Sequence, residues 1–261
     1  MSNDQRQPIL AIDNISKAFG GLKAVNHATI EVAEGSITGL IGPNGAGKTT
    51  LFNIISGFIK PDSGHIAFLG DRIDGLPAHL VFHRGLVRTF QIPRELGGMT
   101  VLENLMLVPK DQAGEKLWNT WFLPWRVSRQ EDANFTKAEE VLRFLNLHQL
   151  RDEYALNLSG GQKKLLELGR TLMCDPKMIL LDEPAAGVNR TLMRDIVNDI
   201  KRLRDERGIT FFVIEHDMDI VTLLCDRLIV MSDGSKLAEG TPAEMRADER
   251  VLEAYLGGQM R

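Results

Sequence analysis

Gly42–Thr49 reads GPNGAGKT and stands between the short apolar run Ile37–Ile41 and a stretch, Thr49–Gly57, with helical character. A strand feeding a glycine-rich turn that opens a helix is a phosphate cradle, and it commits the chain to an α/β core. Small residues let backbone N–H groups close around phosphate oxygens, and the helix N-terminus adds a favourable dipole. Gly42, Pro43, Asn44, Gly45, Ala46 and Gly47 would form the cradle. Lys48 would reach the β- and γ-phosphates, and the Thr49 hydroxyl would ligate Mg²⁺. Thr50 would add an α-phosphate contact.

The periodicity divides the chain. Ile9–Ile12 and Ala28–Val32 alternate apolar and polar residues, with turn signals at Gly20-Gly21 and Glu34-Gly35, and predict antiparallel strands. His65–Leu69 and Leu86–Phe90 predict further strands. From about Thr100 to Cys174 the pattern turns helical, at Val101–Leu107, Asp132–Leu145 and Gly161–Cys174. Strand and helix then alternate through Met178–Leu181, Thr191–Arg204, Thr210–Ile214, Met218–Leu224 and Leu228–Met231. The expectation is one cassette over 1–261 with a mostly helical subdomain, 92–176, inserted in an α/β core. No repeat and no low-complexity linker interrupts it.

Two further motifs carry chemistry. The buried-type strand Met178–Leu181 runs into Asp182-Glu183-Pro184, which places one carboxylate at a sheet edge and a second beside it. Between them Asp182 and Glu183 would hold Mg²⁺ and orient an attacking water. Residues 158–162 read LSGGQ. Ser159, Gly160, Gly161 and Gln162 open a helix, so they offer a second N-terminus to an anion, or else an ordinary helix cap.

This combination resembles the ATP-binding cassette (ABC) family over most of the chain. The resemblance implies a P-loop nucleoside triphosphatase core with an antiparallel β subdomain and an inserted helical subdomain. It implies ATP and Mg²⁺ as cofactors, and head-to-tail pairing in which Ser159 and Gly161 of one copy face the γ-phosphate held by Lys48 of another. It further implies that Asp182 holds Mg²⁺ through water while Glu183 is the general base that orients the attacking water, that Gln91 contacts Mg²⁺ and that water, that His216 hydrogen-bonds the γ-phosphate, and that Phe19 stacks on adenine. Asn189 lies in the loop that crosses to the partner, where many cassettes carry aspartate. The other histidines, His27, His65, His79, His83 and His148, read as surface or packing residues.

Several segments narrow the resemblance to the ATPase subunit of branched-chain amino acid importers. They are RTFQIPRELGGMTVLENLML from Arg88, PAAGVN, IEHDMDIV, LAEGTPAEM and RVLEAYLGG. Cassettes for urea uptake or lipopolysaccharide export stay open as alternatives. The partners implied are a second ABC ATPase subunit (self or paralogue), two transmembrane permease subunits and, indirectly, a substrate-binding protein. Arg94, Glu95 and Leu96 would line the groove that receives a permease helix. All three tryptophans, Trp118, Trp121 and Trp125, fall in WNTWFLPW, which reads as packing on its own helical subdomain in preference to docking a partner.

Bulk properties limit the rest. A net charge of −4 gives no footprint for wrapping nucleic acid, and no run of about eighteen apolar residues spans a bilayer. The expectation is a cytoplasmic chain, peripheral on the cytoplasmic face of the inner (plasma) membrane. Cys174 and Cys225 have no metal-type spacing and read as reduced, buried thiols. A non-transport cassette would carry paired cassettes, coiled-coil arms or basic extensions, and none is present. A kinase or GTPase on the same glycine loop would leave LSGGQ without a role.

Overall fold

The computed structural model describes residues 8–89, 95–115, 117–184 and 186–257. The chain forms two compact units: Met1–Arg88, Lys177–Pro184 and Ile200–Arg261 in one, Thr89–Pro176 and Ala185–Asp199 in the other.

All ten strands of the described residues lie in the first unit. In chain order they are β1 Pro8–Phe19, β2 Leu22–Ala33, β3 Ile37–Ile41, β4 Ser63–Phe68 and β5 Asp71–Arg72. β6 Leu86–Arg88, β7 Met178–Asp182, β8 Thr210–Ile214, β9 Arg227–Ser232 and β10 Ser235–Gly240 follow. They make a four-stranded antiparallel sheet, β2-β1-β4-β5, and a six-stranded sheet, β10-β9-β3-β8-β7-β6, parallel except at β10. β3, β7 and β8 are buried along their whole length, which explains their unbroken apolar runs.

The two sheets share one apolar core with the helix Lys48–Ile55, including Leu10, Ile30, Phe52, Phe68, Leu180 and Phe212. The Phe52 and Phe212 rings meet at 5.1 Å, tilted by 47°. The register Leu40↔Ile214 and Asp182↔Ile214 aligns the carboxyl ends of β3, β8 and β7. Loops leaving those three strands therefore emerge at one sheet edge, where α/β sheets bind ligands.

The second unit is helical, with Val101–Met106, Leu117–Phe122, Pro124–Phe144 and Gly160–Leu172 as its longer elements before Pro176. Gly169 lets the last of these approach Leu105, Val141 and Leu145, since a Cβ there would stand 3.1–3.3 Å from their methyl groups. Buried Glu139 is held by Arg143 at 2.9 Å, His148 at 2.8 Å and Arg151 at 3.1 Å.

Four expectations need correction. β1 and β2 are twelve residues each, far longer than Ile9–Ile12 and Ala28–Val32, because antiparallel pairing continues past irregularities near Asn14 and His27, both at positive φ. β6 ends at Arg88, short of the expected Phe90. The helix expected at Asp132–Leu145 begins eight residues earlier at Pro124, a residue favoured in the first turn. The tryptophans do not pack on the subdomain: Trp118, Trp121 and Trp125 are 75%, 80% and 67% exposed. No helix among the described residues is long and apolar enough to cross a membrane.

Candidate functional site

The glycine loop leaves β3 with two positions that side chains could not occupy. Gly42 has φ 148° and a Cβ there would strike the Met231 carbonyl; Gly47 has φ 96° and a Cβ there would strike the Ala24 carbonyl. Both pin the loop against backbone on either side. Ala46 N–H donates to the Pro43 carbonyl at 3.2 Å, closing the turn before the helix. Lys48 folds back so that Nζ donates to the carbonyls of Gly42 (2.7 Å) and Pro43 (3.0 Å). Burial lowers its pKa, and the nearby carboxylates of Glu183 and Asp182 partly offset that. Asn44, Gly45 and Thr49 are exposed at the loop's outer face, beside half-buried Pro43 and Thr50.

Asp182 closes β7 and is buried. Its Oδ2 accepts from Arg88 Nη2 at 3.0 Å, with the two side chains 10% and 6% exposed. Arg88 also donates to Asn53 Oδ1 at 2.6 Å and lies 5.8 Å from the centre of the Phe52 ring. Arg88 is a residue that sequence reasoning passed over. The available signal was a lone arginine closing the apolar strand Leu86–Val87, which needs a buried acid to balance it.

Glu183 takes a left-handed conformation, φ 48°, which costs a non-glycine residue about 1–3 kcal/mol and clusters at functional sites. Its N–H donates to the Ile214 carbonyl at 3.0 Å, holding the turn against β8. Its Oε1 lies 3.2 Å from His216 Nδ1, so the expected base and the expected phosphate-binding histidine are direct neighbours. Buried Glu215 accepts from His216 N–H at 3.2 Å, and Asp217 caps the helix Met218–Leu224. Lys48, Asp182, Glu183 and His216 thus stand on elements that meet at one sheet edge.

Among the described residues no three His, Cys, Asp or Glu side chains converge to hold a metal by themselves. The hard oxygen donors of Thr49 and Asp182 suit Mg²⁺, which keeps waters and phosphate oxygens and needs few protein ligands. Gln91 and Arg94 lie outside the described residues.

Phe19, at the end of β1, is 49% exposed, with Lys17 Nζ 5.7 Å from its ring centre. The ring is therefore half exposed, unlike that of a core phenylalanine, with the Lys17 ammonium over one face. In the second unit, Ser159 and Gln162 form a reciprocal cap. Ser159 Oγ accepts from Gln162 N–H at 3.3 Å, and Gln162 Oε1 accepts from Ser159 N–H at 2.9 Å. Gly160 is exposed, whereas Gly161 is buried with Leu192 where its Cβ would stand. Asn189 caps the helix Arg190–Arg207, its Oδ1 accepting from Leu192 N–H at 2.9 Å. Glu95 pairs with Lys163 at 2.7 Å, and Leu96 is 41% exposed.

Comparison with known proteins shows the family to which the chain belongs. The ABC transporter family model matches residues 25–186, and the model for the branched-chain amino acid ATP-binding cassette transporter matches residues 235–260. The chain is 44% identical to a probable branched-chain amino acid transport ATP-binding protein, LivG, of Archaeoglobus fulgidus, over 96% of each chain. It is 39% identical to the high-affinity branched-chain amino acid transport ATP-binding protein BraF of Pseudomonas aeruginosa, covering 96% of this chain and 98% of that one. A crystal structure of an ATP-binding cassette of an ABC transporter in its ADP conformation superimposes with a TM-score of 0.82 at 43% identity, over 96% and 99% of the two chains. The glycine loop, the carboxylate pair at the end of β7 and the near full-length likeness together make this chain a member of the ATP-binding cassette family of ABC transporters.

Proposed function

We propose that this chain is the ATP-hydrolysing subunit of a branched-chain amino acid importer. The observation that carries the reading is Glu183 held 3.2 Å from His216 at the sheet edge that also presents Lys48 and Asp182. The relatives named for branched-chain amino acid transport supply the cargo, and they span nearly the whole chain.

In this reading Phe19 stacks on adenine, and residues Gly42–Thr50 wrap the phosphates, with Lys48 exchanging its loop carbonyls for phosphate oxygens. Thr49, Asp182 and Gln91 would hold Mg²⁺, which would supply positive charge against the phosphates. Glu183 orients and deprotonates the attacking water, and His216 donates to the γ-phosphate. Ser159, Gly160, Gly161, Gln162 and Asn189 complete the site of a second ATPase subunit, so ATP joins two chains and hydrolysis releases them. The helical region 92–176 couples that switch to two permease subunits through a groove at Arg94, Glu95 and Leu96. A substrate-binding protein delivers cargo on the far side. The chain is cytoplasmic, on the inner face of the plasma membrane.

Uptake of labelled leucine by cells expressing this chain with its permeases and binding protein tests the reading. Leucine, isoleucine and valine should enter, and Lys48→Ala should abolish entry. Uptake of urea instead, or leucine uptake that survives Lys48→Ala, would refute it.

A further inference from the structure

The helix Glu249–Gly257 carries a buried polar atom that its own packing does not use. It lies against the helix Pro242–Ala247 and β10, burying Val251 and, one turn further on, half-burying Tyr255. The Tyr255 phenol oxygen is buried and, among the described residues, makes no hydrogen bond. A phenylalanine would fill the same space without stranding a polar atom, so packing alone gives no reason for the hydroxyl.

Its surroundings supply one. β10 pairs with β9, and β9 with β3, where Ile41 stands opposite Val230 just before β3 gives way to the phosphate loop. The first residue of that loop, Gly42, directs its backbone N–H at the Tyr255 oxygen. Burial raises the phenol pKa, and this N–H works the other way, short of a hydrogen bond. Gly42 has little freedom elsewhere: a Cβ on it would strike the Met231 carbonyl, and its own carbonyl accepts from Lys48 Nζ at 2.7 Å. Lys48 holds the Pro43 carbonyl as well, at 3.0 Å. The grip of Lys48 on these two carbonyls and the unused phenol oxygen therefore meet at the same residue.

We infer that Tyr255 is a positioning residue of the nucleotide site: its hydroxyl accepts from Gly42 N–H when Lys48 leaves the loop carbonyls for phosphate oxygens, and so latches the loop around the nucleotide. The helix Glu249–Gly257 thereby contributes to nucleotide affinity without touching the nucleotide. The inference rests on the phosphate contacts given to Lys48 and the glycine loop above, and is independent of the cargo.

The chain has only two tyrosines, Tyr154 and Tyr255, so full-length protein labelled with 3-fluorotyrosine gives two fluorine NMR signals, assigned with Tyr154→Phe. The Tyr255 signal should move on addition of Mg-ADP. Tyr255→Phe, which keeps the ring, should weaken Mg-ADP binding in calorimetry by about fivefold, the worth of one neutral hydrogen bond. Its melting temperature without nucleotide should hold or rise, because an unsatisfied buried hydroxyl has been removed. A Tyr255 signal that ignores Mg-ADP, or a Tyr255→Phe affinity within about 1.5-fold of wild type, would overturn the inference. A fall in melting temperature with unchanged affinity would do the same and make Tyr255 a packing residue. Wild-type chain that fails to bind Mg-ADP at all would refute the nucleotide site itself, and the latch with it.

Discussion

Replacing Arg88 with methionine should strand a charge in the core. Arg88 and Asp182 pair at 3.0 Å with side chains only 6% and 10% exposed, so solvent screening takes little from the interaction. Removing one partner of such a pair costs about 3–5 kcal/mol, because the other charge stays buried without compensation. The loss of the Arg88 contact with the Phe52 ring adds on the order of 1 kcal/mol. Urea denaturation followed by circular dichroism reads this directly. With an m value of about 3 kcal/mol/M, the midpoint should fall by roughly 1 M or more. Adding Asp182→Asn to Arg88→Met removes the orphaned charge and should recover most of the loss. A midpoint change under about 0.3 M for the single variant would refute the buried-pair argument. A double variant no more stable than the single would refute its electrostatic origin.

Other perturbations follow from the same geometry. Gly161→Ala should destabilise by about 1–3 kcal/mol, since its Cβ would overlap Leu192, whereas Ser159→Ala should cost only about 1 kcal/mol through the lost cap; thermal melts rank the two. Trp121→Ala should leave the melting curve within about 0.5 kcal/mol of wild type, because its side chain is 80% exposed. Burial pushes the Cys174 thiol up from 9.0 to about 11 and raises that of Cys225 as well, so neither should react with a thiol reagent at neutral pH until the chain unfolds. A thiol that holds its proton more tightly when folded gives stability that is full below about pH 9. That stability falls as pH rises towards 11, and unfolding titrations across that window check the sign.

The parts of the fold legible in the sequence were those in which local pattern and burial agree. β3, β7 and β8 are buried on both faces, so each appears as a continuous apolar run between punctuating residues. The glycine loop was legible because backbone geometry there excludes a side chain at Gly42 and Gly47. What escaped depended on contacts distant in sequence. The polar halves of β1 and β2 are strands because they pair with each other and, in β1, with β4 as well, and Arg88 acquires its meaning from Asp182, ninety-four positions away. The tryptophans were misread because apolar composition was taken as burial. The structure leaves them exposed, while Asn119 and Gln130 hydrogen-bond the Ala113 backbone. Ser159, Gln162 and Asn189 were read as ligand contacts, and the structure gives each a capping role as well.

Phosphate release measured in a single turnover, on wild type and Glu183→Gln with ATP affinity determined for both, tests the central claim most directly. The account predicts nearly equal affinity, because Lys48 and the glycine loop are untouched, and release slowed by about 10²–10⁴. Release that slows less than about tenfold, or affinity that falls in step with it, would contradict Glu183 as the base.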